Sequence, residues 1–101
     1  MSKKNDFVEF IAYDVFSFLD NVSYKKLFDG YGIYRAGEIF AIVIDDTLYL
    51  KDSKTNLNLL KGMDSKQFSY EREGNAIHLP YWSVPEDILE DSEEMRNLLN
   101  Y

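Results

Sequence analysis

Hydrophobic and polar positions change period along this chain, and the changes divide it into elements. Val8, Ile11, Ala12, Val15, Phe18 and Leu19 recur at three- and four-residue spacing, which predicts a first helix with an apolar stripe. Phe7, Phe10, Tyr13 and Phe16 widen that stripe, so this helix is expected to be buried on more than one side. Asn5 or Asp6 can cap it, Glu9 suits the positive end of its dipole, and Asp20-Asn21 offers a stop. Ser23 can cap a short second helical turn through Tyr24-Lys25-Lys26-Leu27-Phe28. Gly30 and Gly32 would end that turn, supplying positive φ and room for a close backbone approach.

From Tyr31 the period is two. Tyr31-Gly32-Ile33-Tyr34-Arg35 reads as a strand and Ala36-Gly37 as a tight turn. Ile39-Phe40-Ala41-Ile42-Val43-Ile44 is apolar at every position, which places it centrally in a sheet. Asp45-Asp46 turns the chain into Thr47-Leu48-Tyr49-Leu50-Lys51, completing a three-stranded antiparallel meander. Asp52-Ser53 can cap a short helix with Leu57, Leu60 and Met63 inward, ending at Gly62. Residues 68–72 and 76–81 flank Gly74-Asn75, a pair suited to a two-residue hairpin turn, and Pro80 points to an edge or a strand end. A last helix begins near Pro85 or after Asp91, where Asp91-x-x-Glu94 has capping-box spacing and Ile88, Leu89, Met95, Leu98 and Leu99 form the apolar side. The expectation is a two-layer α+β fold, with an antiparallel sheet of about five strands packed against N-terminal, middle and C-terminal helices. With 101 residues, one domain spanning 1–101 is expected.

Composition supports a packed core and narrows the chemistry. Hydrophobic residues make up 46% of the chain, with seven Phe, eight Tyr and one Trp, so disorder is excluded. Zero Cys removes disulfides, thiolate catalysis and Cys-based metal sites, and a lone His78 leaves one imidazole. The formal charge of −7 is concentrated: residues 84–101 hold six acids against Arg96, net −5, while residues 1–83 are net −2. Such an acidic body repels phosphate backbones and anionic leaflets, so direct nucleic-acid or membrane binding is not expected. Lys3 and Lys4 precede an apolar stretch, but Glu9 and Asp14 interrupt it and no small-residue cleavage site comes after it, so the chain reads as cytoplasmic.

Each candidate chemistry fails on spacing or context. Asp29-Gly30-Tyr31-Gly32 lacks the third glycine of a dinucleotide loop, where Arg35 stands, and leads into a strand instead of a helix. His78 lies on the opposite strand face from Ile77, Leu79 and Tyr81, and no strained nucleophile turn accompanies it. Asp45 and Asp46 point to opposite sides of a turn, and Lys54 breaks a calcium-loop pattern from Asp52. No catalytic residue, cofactor or metal site is therefore assigned. Lys25-Lys26, Arg35, Lys51 and Arg72, interleaved with Tyr24, Tyr34, Tyr49 and Tyr70, have the composition of a single-strand stacking surface. Lysine and arginine stems covering apolar strand surface explain the same pattern.

One ordered set of motifs resembles a known family. Leu27-Phe28-Asp29-Gly30-Tyr31-Gly32-Ile33-Tyr34, Asp46-Thr47-Leu48-Tyr49-Leu50-Lys51, Phe68-Ser69-Tyr70 and Tyr81-Trp82-Ser83-Val84-Pro85-Glu86 together are similar to the TfoX N-terminal domain of TfoX/Sxy competence regulators. Asp29 stands where that family has the first glycine of its pair, and Leu27 where it has Met. The resemblance implies a stand-alone two-layer α+β module with a non-enzymatic role in regulating competence-gene transcription through other proteins. It also marks Phe28, Gly30, Gly32 and Pro85 as structural motif residues. The expected interaction surface comprises Tyr31, Tyr34, Arg35, Tyr49, Lys51 and Tyr70 on the sheet, with Glu90, Asp91 and Glu94 on the acidic last helix offered to a basic partner. Protein partners are thus expected, and a homodimer is compatible. The alternative is a small acidic chaperone-like dimer that holds an extended client segment.

Overall fold

The computed structural model describes residues 3–27 and 29–101, with side chains from Asp6 onward; Phe28 and the side chain of Asn5 lie outside the described residues. The first helix comes in two parts. An α-helix, α1, covers Lys3–Glu9, so Asp6 lies in its first turn and not ahead of it. A π-helical segment, Phe10–Val15, continues it, and its widened turn is closed by Phe16 N–H donating to the Ile11 carbonyl at 3.0 Å. That five-residue step brings Ile11 and Phe16 to the same side, and both are fully buried. Phe18, expected inside, is half-buried: it packs against the core cluster and carries the Arg96 guanidinium 4.8 Å from its ring centroid. Phe16 is buried and Phe7 and Phe10 pack against the core, while Tyr13, 55% exposed, marks an open side.

The expected second helical turn is a strand. β1, Val22–Leu27, pairs antiparallel with β2, Gly30–Arg35, from Val22 opposite Arg35 to Leu27 opposite Gly30. Local capping by Ser23 loses to a whole ladder of backbone hydrogen bonds and to Val22 and Tyr24 packing at the core margin. Gly30 and Gly32 accordingly lie inside β2 and have no positive φ; the left-handed glycines are Gly37 and Gly74.

β3, Glu38–Ile44, and β4, Thr47–Lys51, complete the meander through turns at Ala36-Gly37 and Asp45-Asp46, all four residues having positive φ. After the short helix α2, Leu57–Gly62, come β5, Gln67–Arg72, and β6, Asn75–Ser83. Their hairpin turns at Glu73-Gly74 (φ 51° and 81°), one residue earlier than expected, because Asn75 is already paired with Arg72. The strands form one six-stranded antiparallel sheet in the order β1-β2-β3-β4-β6-β5, one strand more than expected and with β3 inside it.

β6 is an interior strand, so Pro80 does not mark an edge. Pro80 sits where β6 has extra residues between its pairings with Gln67 and Ser69, a ladder irregularity that needs no N–H from it. Its carbonyl accepts from Asp52 N–H at 2.8 Å, and Trp82 Nε1 donates to Asp52 Oδ2 at 3.0 Å, fastening the hairpin to the end of the meander.

The final region is two helices, α3, Glu86–Leu89, and α4, Ser92–Leu98. Pro85 occupies the N-cap position of α3, and Asp91 caps α4 by accepting from Glu94 N–H at 3.2 Å. α2 is entered through a buried polar knot. Asn56, 3% exposed, accepts from Ser53 N–H at 2.8 Å through Oδ1 and donates from Nδ2 to the Lys51 carbonyl at 3.1 Å. The core lies between the helices and one sheet face: Val8, Ile11, Phe16, Leu60, Met95 and Leu98 meet Ile33, Ala41, Val43, Leu48 and Leu50. No helix among the described residues is long and apolar enough to cross a membrane.

Candidate functional site: the open face of the sheet

Directly paired residues in an antiparallel sheet share a face, so the register assigns every strand side chain to a side. Ile33 pairs with Ala41 and Ala41 with Leu50, and these belong to the core. Gly32 pairs with Ile42 and Ile42 with Tyr49, and these lie on the other side, away from the helices. Continuing outward, Tyr34 opposite Ile39, Ile44 opposite Thr47, Lys51 opposite Tyr81 and Tyr70 opposite Ile77 share that second face. A bulge at Ile33/Tyr34 leaves Phe40 as the extra residue of β3, and its ring turns to the core against Phe16, 5.0 Å between centroids.

The open face is apolar and aromatic, not polar. Ile42 is 5% exposed although it lies outside the helix-covered cluster. Its cover comes from aromatic neighbours on the same face. Tyr34 folds back along its strand, so that a Cβ built on Gly32 would stand 3.1 Å from Tyr34 Cε1 and 3.2 Å from its hydroxyl. Lys25 Nζ lies over the outer side of that ring, 5.3 Å from its centroid. Farther across, Tyr49 meets Phe68 edge-on at 5.1 Å, and Phe68 meets Tyr70 at 6.5 Å. Burial pushes the phenols of Tyr49 and Tyr81 above the ordinary tyrosine range; Asp45 adds to the effect at Tyr49, and Tyr34 adds to it at Tyr81. Tyr70 stands 42% exposed at the outer strand.

Charge on this face has one sign. Its strand positions include Lys25, Lys51 and Arg72 and no Asp or Glu. Of the acids, Asp45 lies in the β3–β4 turn at the end of this face, close enough to act on Tyr49, while Glu71 is on the helix side opposite Ala76 and the −5 of residues 84–101 lies beyond the core. An acidic protein thus presents an aromatic sheet face whose charged strand positions are all basic.

The expected surface residues therefore separate. Tyr34, Tyr49, Lys51 and Tyr70 come together on the open face. Tyr31 and Arg35 do not join them. Tyr31 packs edge-on against Tyr24 at 5.7 Å on the helix side, and the Arg35 guanidinium lies 5.0 Å over the Tyr101 ring. Glu90, Asp91 and Glu94 sit in the helical layer, where Asp91 is used as a cap and Glu90 borders a depression of about 230 Å³ with Phe10 and Asp14. A second depression, about 300 Å³, lies by Arg35, Glu38 and Leu99. His78 faces the helix side opposite Ser69, so it shares no pocket with Tyr34, Tyr49 and Tyr70. Of the motif glycines, Gly30 is needed for close approach, since a Cβ there would run into the Val43 carbonyl oxygen. No cluster of three or more metal-ligating side chains occurs among the described residues.

Sequence reasoning missed Ile42, Phe68 and Tyr81 as members of this face. The signal was present in β3, whose apolar residues alternate to both sides; only one of those sides receives helices.

Comparison with known proteins decides the family. The family model of the TfoX N-terminal domain matches residues 14–101, nearly the whole chain. The chain belongs to the TfoX N-terminal domain family. A comparison with curated proteins gives no match. In this TfoX N-terminal domain the matched span takes in all six strands, α2, α3 and α4, and therefore the entire open face.

Proposed function

We propose that this TfoX N-terminal domain is a non-enzymatic regulatory module that works by binding a protein partner on the open face of its sheet. As a member of its family, it is read as contributing to control of competence-gene transcription through that contact. The observation that carries the reading is the apolar and aromatic outer face of the sheet: Ile42 and Ile44 of β3 lie where no helix packs, and Tyr34, Tyr49 and Phe68 share that face. An antiparallel sheet with one solvated face ordinarily alternates apolar with polar residues, and an apolar second face marks a surface built for contact. Affinity capture from the native cell with wild type and with the Tyr49→Ser, Tyr81→Ser double variant tests this. A partner retained by the wild type and lost by the folded variant is the expected result; equal retention contradicts the role given to this face.

A second reading has its own observation. β1 and β5 are the sheet edges, open to strand addition, which suits a chaperone-like dimer holding an extended client. Light scattering distinguishes the two, because the client-holding reading requires a dimer and the first does not.

A further inference from the structure

The chemistry of the partner is set by the charge and shape of the open face, given the protein-binding role proposed above. We propose that the occupant is an amphipathic α-helix of a partner protein, with an aliphatic ridge flanked by Asp and Glu. Three features of the face lead there.

Backbone satisfaction is the first. A segment laid on the middle of an apolar sheet face has no strand edge to pair with, so its own N–H and C=O groups must be satisfied internally. A helix does this and an extended peptide does not. The sheet already accepts helices on its other face, and a helix on this one would make a three-layer arrangement of ordinary type.

Shape is the second. Ile42 lies beneath the face, 5% exposed, and the surface a partner meets is the aromatic one of Tyr34, Tyr49, Phe68 and Tyr70. The rings meet one another edge-on or tilted, 5.1 and 6.5 Å apart along the Tyr49–Phe68–Tyr70 row. That arrangement suits interdigitation with Leu, Ile or Met side chains at i, i+3, i+4 and i+7 more than a run of flat bases.

Charge is the third. Lys25, Lys51 and Arg72 are the charged strand positions of this face, and the acid acting on it is Asp45, in the turn at one end beside Tyr49. None of the three is ion-paired among the described residues. Acids flanking a helix ridge would meet these cations, and basic flanks would be repelled. The body behind carries the excess of acids, which disfavours a polyphosphate occupant at longer range.

Selection from a displayed library of helical peptides tests the proposal with the whole chain as bait. Enrichment of ridges spaced i, i+3, i+4 and i+7 with acidic flanks supports it; enrichment of basic flanks, or none at all, overturns it. The best selected peptide is then measured by fluorescence anisotropy and by amide chemical-shift mapping. Shifts are expected at Ile42, Tyr49 and Tyr81, and Lys51→Glu is expected to weaken binding about fivefold. Glu94→Lys, on the other layer, is expected to leave affinity unchanged. Displacement of the peptide by a single-stranded oligonucleotide at physiological salt would overturn the assignment in favour of nucleic acid. Failure of this inference is distinguishable from failure of the protein-binding role. A native partner lost on Glu90→Lys and Glu94→Lys but kept on Lys51→Glu overturns the helix-on-sheet proposal while leaving a protein-binding module in place.

Discussion

The ring of Tyr34 lies across Gly32, two residues earlier in the same strand, within 3.2 Å of where a side chain on Gly32 would begin. Glycine in a strand interior is ordinarily a weakness; here its bare backbone gives an aromatic ring a place to lie, and Lys25 sits over that ring.

The two β2 glycines therefore predict different outcomes. At Gly32 an added methyl meets Ile39 Cδ1 at 3.0 Å and the Tyr34 ring, the far ends of side chains that can shift, so Gly32→Ala is expected to change stability by less than about 1 kcal/mol while displacing Tyr34. At Gly30 the methyl meets the Val43 backbone carbonyl, which is fixed in the ladder, and Gly30→Ala is expected to cost about 3 kcal/mol. Urea unfolding of both variants, with amide shifts at Tyr34 for the first, checks the contrast.

A buried amide sets the entry to α2. Asn56→Ala leaves the Ser53 N–H and the Lys51 carbonyl without their partner, at an expected cost of about 2 kcal/mol. Ser53→Ala removes the acceptor for Asn56 N–H, 3.2 Å away, and an exposed hydroxyl contact with Thr55 Oγ1 at 3.0 Å, and is expected to cost about 1 kcal/mol. Chemical denaturation of both variants gives the comparison.

Alkaline pH acts on the open face through its phenols. Folding raises the pKa of Tyr49 and Tyr81 by burial, so the folded state holds these protons more tightly than the unfolded state. That stabilisation is full below the ordinary tyrosine value of about 10 and is lost as pH rises through the higher folded values. Urea midpoints are expected to be level to about pH 9 and to fall above about pH 10, less steeply in Tyr49→Phe, Tyr81→Phe. Tyr24 is raised for another reason, chiefly the hydrogen bond its hydroxyl donates to Glu9 Oε2 at 3.0 Å. Glu9→Gln is expected to return Tyr24 toward its ordinary value, read from phenolate absorbance.

Much of this fold was legible where period and turn chemistry agreed. The Ala36-Gly37 and Asp45-Asp46 turns, interior β3 and the Asp91 cap arise from residues whose local preference matches their tertiary setting. β1 was not legible, because Ser23 looks like a cap until Gly30–Arg35 is present to pair with it. The π-turn was hidden too, since a single five-residue step between Ile11 and Phe16 does not disturb an α-helical apolar stripe enough to show. Pro80 misled because its tolerance depends on extra residues in its own strand where the ladder with β5 is interrupted. At the site, alternation could say that Tyr34 and Tyr49 lie on a face, but not which face the helices cover. The separation of Tyr31 and Arg35 from Tyr34 was legible in the period of two along β2, which sets odd and even positions on opposite faces.

Contact made on the open face, and not on the acidic helical layer, is the central claim. Site-specific photo-cross-linking in the native cell tests it most directly, with a benzophenone amino acid placed at Tyr49 in one variant and at Glu94 in another. The predicted result is a discrete cross-linked partner from position 49 and none from position 94. A partner captured from position 94 and absent from position 49 would contradict it.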